Sequence, residues 1–223
     1  MSWAAKVTLV TGGTRGIGRA LCEALVADGA RVYACGASPN AASEVPDGVV
    51  GFRCDVSDPE DVGRMVTAVS ERESGLDLLV NNAGVLGPRT RLEAVSLAQW
   101  REVFAVNADG PFLVSRECLG LLRAARGVIV NVSSSVGRRG RAGWGAYACS
   151  KHALEGLTEV LADELSKDGV GVISINPGGT ATDMRADAFP DEDPATLPTS
   201  GEVATVMLRM AAERGGGDVR DRL

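Results

Sequence analysis

Two side chains four residues apart could together act as a proton donor. Tyr147 and Lys151 lie in the segment AYACSKHALEGL, whose pattern predicts a helix, so both should share one helical face. An ordinary phenol has a pKa of about 10, and lowering that pKa to neutrality corresponds to about 4 kcal/mol. An ammonium group about 4 Å away supplies about that energy at an effective dielectric of about 20. The pair predicts acid–base chemistry by Tyr147, provided that the chain also binds a hydride carrier.

Short apolar runs alternate with longer helical patterns along the chain. Strands are predicted at residues 7–11, 31–35, 49–53, 76–80, 128–132 and 170–175. Helices are predicted from Gly16, from Pro59, over residues 97–122 and around Tyr147. Because the runs are apolar on both faces, the order predicts an α/β fold: a doubly wound parallel sheet with helices on both faces. Ligands of such sheets bind beyond the carboxyl ends of the strands.

Composition excludes several classes of protein. The 223 residues contain no Pro- or Ser-rich linker, which predicts a single domain over residues 1–223. The net charge of −6 argues against a nucleic-acid partner. The apolar stretch at the N-terminus is too short to span a membrane or to act as a signal, so no membrane partner and a cytoplasmic location are expected. Five scattered cysteines and one histidine, His152, predict reduced thiols and no metal site.

A glycine-rich turn follows the first predicted strand. It reads Thr11-Gly12-Gly13-Thr14-Arg15-Gly16-Ile17-Gly18 and leads directly into a predicted helix. Glycines suit this place because a pyrophosphate must approach bare backbone N–H groups at the helix N-terminus. The spacing resembles that of the short-chain dehydrogenase/reductase family rather than the GxGxxG of other dinucleotide binders.

Further segments resemble cofactor-binding motifs of that family. Asp55-Val56 resembles the pair that contacts the adenine ring, with helix capping as the alternative. Asn81-Asn82-Ala83-Gly84 resembles the NNAG motif, which steadies the central sheet and borders the ribose. The segment 177–182 resembles the part that holds the nicotinamide and the phosphates, with a simple Pro-Gly turn as the alternative. The cofactor-binding residues that the resemblance implies are Gly12, Thr14, Arg15, Gly16, Ile17, Gly18, Ser38, Asp55, Val56, Asn82, Ala83, Gly84, Tyr147, Lys151, Pro177, Gly178, Thr180 and Thr182.

The resemblance also implies a Rossmann fold and a catalytic set. Asn107 resembles the asparagine that holds a water on the proton path. The catalytic serine of the family lies thirteen residues before the tyrosine, which selects Ser134, with Ser133 and Ser135 as alternatives one position away. In this scheme Tyr147 exchanges a proton with the substrate oxygen, to which Ser134 donates a hydrogen bond. Lys151 lowers the tyrosine pKa and binds the nicotinamide ribose.

The end of the second predicted strand bears on the choice of cofactor. Relatives that prefer NAD usually carry an acid there for the ribose 2′-hydroxyl, whereas this chain reads VYACGAS. Arg15 and Ser38 are expected to hold a 2′-phosphate, so NADP(H) is the preferred cofactor and NAD(H) the alternative. An Arg15 that only faces solvent is the competing interpretation.

Two loops are expected near the substrate. Arg138, Arg139 and Arg141 should lie at the mouth of the cleft, where they could attract a carboxylate, a phosphate or an acidic carrier protein. Solvated charges, or salt bridges to the acidic segment 187–193, are the alternatives. The acids and prolines of residues 183–199 predict a mobile substrate loop, either a surface excursion or a flap over the site.

The end of the chain departs from the family pattern. Many relatives finish with a strand that supports tetramer packing, whereas the ending GGGDVRDRL predicts a last strand that is short or missing. A homodimer through the long helices is expected rather than a tetramer. In the helix after Tyr147, an apolar face could serve either the core or that dimer interface, and it comprises Ala153, Leu154, Leu157, Val160, Leu161 and Leu165.

These observations predict an NADPH-dependent oxidoreductase that interconverts a small-molecule carbonyl and a secondary alcohol. An NAD-dependent alcohol or sugar dehydrogenase is the alternative within the enzyme class. A nucleotide-sensing or scaffold protein that lost turnover is the alternative from another class. The presence of Asn107, Ser134, Tyr147 and Lys151 favours the enzyme.

Overall fold

A single parallel sheet organises residues 2–222, the part of the chain that the computed structural model describes. Its strands are β1 (Val7–Thr11), β2 (Arg31–Gly36), β3 (Val49–Arg53), β4 (Leu78–Asn81), β5 (Val128–Val132), β6 (Gly171–Asn176) and β7 (Gly217–Asp218). The strand order is β3-β2-β1-β4-β5-β6-β7, and every neighbouring pair is parallel. The order reverses between β1 and β4, so a crevice for ligands opens there beyond the carboxyl ends of the strands. The predicted doubly wound sheet is confirmed.

Helices cover both faces of the sheet. They are α1 (Gly16–Ala27), α2 (Ala41–Glu44), α3 (Pro59–Ser70), α4 (Leu97–Phe104), α5 (Gly110–Ala125), α6 (Gly145–Leu165), α7 (Asp183–Ala188) and α8 (Ser200–Glu213). Adjacent residues of β1 enter separate cores: Val10 packs with Leu21 of α1, whereas Leu9 packs with Val62 of α3. Burial on both faces explains why the strands read as unbroken apolar runs.

The helix predicted over residues 97–122 is interrupted. One turn of π-helix, Ala105–Asp109, separates α4 from α5. Pro111 has no N–H to donate to the carbonyl of Asn107, four residues earlier, so the regular helical bond is missing at this point. Such single π turns often occur at functional sites, and Asn107 lies inside this one.

The start of α3 differs in detail from the prediction. The segment Ser57-Asp58-Pro59-Glu60 has the pattern of a capping box, but Asp58 is the N-cap and its carboxylate accepts the Glu60 N–H at 2.8 Å. Ser57 donates its hydroxyl to Asp55 instead, at 2.7 Å. Pro59 occupies the first turn as predicted, since its missing N–H would have had no helical partner there.

The predicted loop over residues 183–199 contains two helical turns, whereas its mobility and its role at the substrate stay predictions. Thr182 caps α7, whose first residue is Asp183, and Asp193 caps a short 3-10 turn, Pro194–Thr196. Acids and prolines of this segment therefore lie in the first turns of helical elements. The guanidinium of Arg185 donates to the carboxylate of Glu192, with one contact of 2.7 Å, and ties the segment together.

The C-terminal features agree with the sequence in part. The last strand, β7, is two residues long and pairs with β6, which confirms the predicted short strand. Of the expected apolar face of α6, Leu154 and Leu165 are buried, whereas Val160 is 54% exposed. The core accounts for only part of that face, and the homodimer stays a prediction.

Two further observations concern the chain as a whole. Cys22, Cys35, Cys54 and Cys118 are buried and Cys149 is exposed, with no disulfide among the residues that the structure describes. Within residues 2–222 no helix combines the length and the apolar character needed to cross a membrane.

Candidate active site

The glycine turn joins β1 to α1 in a conformation that side chains would block. Gly12 and Gly16 have φ angles of 67° and 54°, in the left-handed region that favours glycine. A Cβ atom on Gly18 would lie 2.1 Å from the carbonyl oxygen of Gly12. The N-cap residue Arg15 supplies no side-chain cap to α1, which leaves backbone N–H groups of the first turn for an anion. This cradle fits a pyrophosphate.

Gly18→Ala should destabilise the fold by about 2 kcal/mol or more, because its Cβ would collide with backbone atoms that cannot move cheaply. Urea unfolding measures the change. Gly120→Ala is the matched control, since a Cβ there meets nothing within 4 Å, and it should stabilise α5 by up to about 1 kcal/mol. Equal unfolding midpoints for Gly18→Ala and the wild type would show that the turn is not closely packed.

Residues of the NNAG segment hold the glycine turn in place. The side-chain amide of Asn82 donates to the carbonyl oxygens of Thr11 and Gly12, at 2.9 and 3.1 Å. The Thr11 hydroxyl accepts the N–H groups of Asn82 and Ala83, both at 3.0 Å. The side-chain amide of Asn82 is therefore bonded to the backbone of the glycine turn, and it stabilises the conformation of that turn.

A buried chain of amides links the central strands to α6. Asn81 donates to Asn131 on the next strand, at 2.8 Å, and Asn131 donates to the hydroxyl of Thr158, also at 2.8 Å. The expected role of this motif in steadying the sheet agrees with these bonds. They fix α6, and hence the side chains on its first turns, against β5.

The two side chains singled out by their spacing do lie together on α6. The Lys151 Nζ atom is 5.7 Å from the centre of the Tyr147 ring. Lys151 is buried, and Nζ donates to the carbonyl oxygen of Val132 at 2.7 Å. Ser134 lies two residues beyond the end of β5, and its side chain is close enough to the Tyr147 phenol to lower the pKa of that group. Tyr147, Lys151 and Ser134 thus meet at the carboxyl end of β5.

The expected electrostatic effect of the lysine is wrong for this structure. Burial raises the pKa of Tyr147 to about 12, although the hydrogen bond from Ser134 acts in the opposite direction. Burial also lowers the pKa of Lys151 to about 8. Nζ is engaged by Val132 and lies over the ring rather than beside the hydroxyl. The phenol is therefore protonated at neutral pH, the form that can donate a proton.

A partly buried carboxylate that sequence reasoning missed lies behind this group. Glu155, one turn after Lys151, accepts the hydroxyls of Ser133 and Ser174 at 2.5 and 2.7 Å. Its charge raises the pKa of Lys151 and so opposes the effect of burial. The available signal was an acid four residues after a lysine on one helix. Glu155 also shows that Ser133 faces away from the phenol, which supports Ser134 as the catalytic serine.

Burial of Lys151 should make stability depend on pH. Its pKa is lowered from 10.5 to about 8, so between these pH values the unfolded chain binds more protons than the folded chain, and stability rises with pH. The free energy of unfolding of the wild type, relative to Lys151→Met, should increase by about 2 to 3 kcal/mol from pH 7 to pH 10.

Denaturant unfolding at several pH values measures this difference. Lys167→Met is the control, because Lys167 is exposed and its replacement should leave the pH dependence of the wild type unchanged. A difference between wild type and Lys151→Met that stays constant over this range would mean that Lys151 keeps its ordinary pKa in the fold.

Asn107 connects the π turn to the segment after β4 and to α6. Its side-chain oxygen accepts the N–H of Val85 at 2.9 Å, and its amide donates to the Val85 carbonyl at 2.9 Å and to the Ser150 hydroxyl at 3.1 Å. The side chain is thus committed to positioning the segment after β4 against α6. Its expected part in a water relay stays a prediction.

The segment after β6 completes the cradle. A Cβ on Gly16 would lie 3.5 Å from the methyl group of Thr182, so this segment meets the glycine turn. The Gly178 N–H donates to the side chain of Asn176, which shapes the turn after Pro177. The Thr180 hydroxyl is buried and has no hydrogen-bond partner among residues 2–222. Such an unpaired group fits a ligand that supplies the partner.

The ribose end of the predicted cofactor site differs from expectation. Arg15 is exposed, whereas the Ser38 hydroxyl donates to the carboxylate of Glu44 at 2.6 Å. Glu44 was missed because it lies eight residues beyond β2, at the end of α2. Arg15 is consequently the better placed of the two residues to meet a 2′-phosphate.

The other predicted cofactor residues at this edge make contacts within the protein, and their cofactor contacts stay predictions. Thr14 lies against Gly36, whose Cβ would approach the threonine methyl to 3.0 Å, and Ile17 packs on the core. Asp55 accepts two bonds from Ser57, and Val56 is buried. Asp55 therefore stabilises the turn before α3 without being its N-cap.

The three arginines before α6 are arranged differently from one another. Arg138 lies 3.5 Å from the carboxylate of Glu155 and 3.6 Å from that of Asp218. The suggested salt bridges to the acidic segment 187–193 are therefore wrong for Arg138, because these two carboxylates lie nearer. Arg139 and Arg141 are exposed.

The site combines a glycine cradle after β1, a tyrosine and a lysine on α6, and a serine after β5. This combination is typical of a dinucleotide-dependent oxidoreductase of the Rossmann type. The family model described as short chain dehydrogenase matches residues 6–193. This match covers most of the chain, and the chain belongs to the short-chain dehydrogenase family.

Individual relatives agree with this assignment. The chain is 36% identical to an uncharacterized oxidoreductase, YciK, of Escherichia coli, over 91% of this chain and 84% of that protein. It is 34% identical to a 3-oxoacyl-[acyl-carrier-protein] reductase of Vibrio cholerae, over 88% and 82% of the two chains. The structure matches a short chain dehydrogenase of Shigella flexneri complexed with NADP, with a TM-score of 0.90, 34% identity and coverage of 97% and 98%.

Proposed function

We propose that this protein is an NADP(H)-dependent oxidoreductase that interconverts a carbonyl compound and a secondary alcohol. The observation that carries the proposal is the meeting of Tyr147, Ser134 and Lys151 at the carboxyl end of β5, beside the glycine cradle. A protonated phenol, a second hydroxyl and an amine at one place suit proton transfer to an oxygen that gains negative charge.

Each side chain has a distinct part in this reaction. A nicotinamide cofactor held in the glycine cradle would supply or accept the hydride at the substrate carbon. Tyr147 donates the proton to the substrate oxygen during reduction and takes it back during oxidation. Ser134 donates a hydrogen bond to the same oxygen and holds the phenol in position. Lys151 is buried beside the ring and donates one N–H to the carbonyl oxygen of Val132, so its other N–H donors can bind the nicotinamide ribose.

The preference for NADP(H) is supported by a positive charge at the N-terminus of α1. Arg15 is exposed at the glycine turn and forms no ion pair with another residue of the described chain. A guanidinium binds a phosphate monoester through two parallel hydrogen bonds. The Shigella flexneri relative was solved with NADP, and a relative from Escherichia coli with NADPH.

A substrate panel tests the proposed activity. Ketones, aldehydes, 3-oxoacyl thioesters and secondary alcohols are incubated with NADPH or NADP⁺, and the absorbance of the reduced cofactor is followed. Turnover of at least one carbonyl class is expected. Binding of NADPH without any turnover would instead favour a nucleotide sensor, and faster turnover with NADH would favour an NAD-dependent alcohol or sugar dehydrogenase.

A further inference from the structure

An aromatic wall lies directly beside the proposed proton donor. The ring of Trp144, the residue before α6, is tilted against the ring of Tyr147 with 5.9 Å between centres. The ring of Phe189, the residue after α7, has its centre 5.8 Å from that of Trp144. Leu86 packs on the same cluster. The side chains next to the phenol are therefore apolar, which suits the body of an organic substrate.

A cation covers this wall. The guanidinium carbon of Arg89 lies 4.3 Å from the centre of the Trp144 ring and 4.8 Å from that of Phe189. Stacking between two rings orients the planar guanidinium without using its N–H donors. Because Arg89 is exposed, those donors remain in reach of a ligand.

Arg89 has no carboxylate partner among the described residues, in contrast to Arg91 and Arg138. Arg91 pairs with Glu93 at 2.9 Å, and Arg138 lies near Glu155 and Asp218. In residues 2–222 no carboxylate comes within salt-bridge distance of Arg89. The whole chain carries a net charge of −6 and so does not attract anions generally. A positive group kept without a counterion here indicates a local site for an anion.

A second unpaired donor belongs to the same wall. Trp144 is 7% exposed, and its indole N–H is shielded from solvent without an acceptor among the described residues. A buried N–H group without a partner costs about 1–3 kcal/mol, so native structures rarely retain one without a reason. The guanidinium of Arg89 contacts the Trp144 ring, and neither this guanidinium nor the indole N–H has a carboxylate or other acceptor assigned to it among the described residues.

We propose that the cleft takes carbonyl compounds that also bear a carboxylate, with Arg89 as the residue that binds it. The apolar body of the substrate packs on Trp144 and Phe189, and its carbonyl reaches Tyr147. The carboxylate pairs with the guanidinium, and one of its oxygens accepts the indole N–H of Trp144 after Arg89 shifts. This inference rests on the proposed function, for which it names the substrate class.

Matched acids and esters test the role of Arg89. The ortho, meta and para isomers of formylbenzoate and their methyl esters place a charged or a neutral group at three distances from one aldehyde. With NADPH, the wild type should show a higher kcat/KM for at least one acid than for its ester. Arg89→Gln should lower kcat/KM for that acid by about tenfold or more and change the ester by less than about twofold.

Two further variants sharpen the comparison. Arg91→Gln is the matched control on the same loop, and it should leave both values unchanged because Arg91 is exposed and paired with Glu93. Trp144→Phe keeps an aromatic ring but removes the N–H, so the preference for the acid should fall several-fold. An equal loss for acid and ester in Arg89→Gln would assign Arg89 a structural role and overturn the inference.

Calorimetric binding of benzoate separates this inference from the proposed function. Benzoate has no reducible carbonyl, so its affinity does not depend on turnover. The wild type should bind benzoate more tightly than methyl benzoate, and Arg89→Gln should lose that difference. Absence of any benzoate preference in the wild type overturns the carboxylate site, whereas absence of turnover with every aldehyde counts against the proposed function alone.

Discussion

Tyr147→Phe is expected to reduce carbonyl turnover by about a thousandfold or more while leaving NADPH affinity within about twofold of the wild type. Loss of a positioned proton donor typically costs about 10²–10⁴-fold in rate. The phenyl ring keeps the packing of Tyr147 against Trp144, so the fold of the site should persist. Steady-state kinetics measures the turnover, and fluorescence titration with NADPH measures the binding.

The other tyrosine provides the control for this variant. Tyr33 lies on β2 and donates its hydroxyl to Glu73 at 2.9 Å, at a different part of the sheet. Tyr33→Phe should therefore retain normal turnover. Near-normal activity in Tyr147→Phe would remove the phenol from the reaction, whatever the behaviour of Tyr33→Phe.

Arg15→Ala is expected to raise the KM for NADPH by about 10- to 100-fold and to change the KM for NADH by less than about twofold. A charged hydrogen bond contributes about 1.5–3 kcal/mol, which corresponds to this range. Only the 2′-phosphate distinguishes the two cofactors, so the effect should appear with NADPH alone. Initial rates at varied cofactor concentration measure both KM values.

Arg19→Ala controls for the general loss of a positive charge on α1. Arg19 lies four residues further along the helix and pairs with Glu23 at 3.0 Å. Its replacement should affect NADPH and NADH alike. If the wild type prefers NADH, or if Arg15→Ala weakens both cofactors equally, Arg15 does not read the 2′-phosphate.

The elements of the fold could be predicted because their signals are local. Strands such as β1 and β5 are unbroken apolar runs, and burial on both faces requires that composition. The glycine turn was recognisable because Gly12 and Gly16 have left-handed backbone conformations that other residues disfavour. The irregular elements were harder to predict. The π turn before Pro111 and the capping of α7 by Thr182 depend on individual backbone hydrogen bonds, which a sequence pattern does not show.

The side-chain contacts between distant elements could not be predicted in this way. Glu155 reaches Ser133 and Ser174 from another element, and no sequence spacing connects the three. Arg89 and Trp144 are 55 positions apart in the sequence and meet only because the loop after β4 folds over the start of α6. Residues that act through such contacts become visible only in the fold.

The pKa of Tyr147 likewise could not be predicted from the sequence, because it depends on burial in the fold. The sequence suggested an ammonium beside the phenol, whereas in the fold burial dominates and raises the tyrosine pKa to about 12. A protonated phenol suits the reduction of a carbonyl, because the oxygen that gains charge is far more basic. Oxidation of an alcohol needs the phenolate, and therefore needs additional positive charge near the ring.

The titration of Tyr147 with and without bound NADP⁺ tests the central claim most directly. Phenolate absorbance is measured against pH, and the spectrum of Tyr147→Phe is subtracted so that Tyr33 does not contribute. The pKa of Tyr147 should lie near 12 in the protein alone and well below 12 in the complex, because the oxidised nicotinamide brings a positive charge close to the phenol. A pKa that stays near 12 with saturating NADP⁺ would contradict a Tyr147 that exchanges protons with the substrate in both directions.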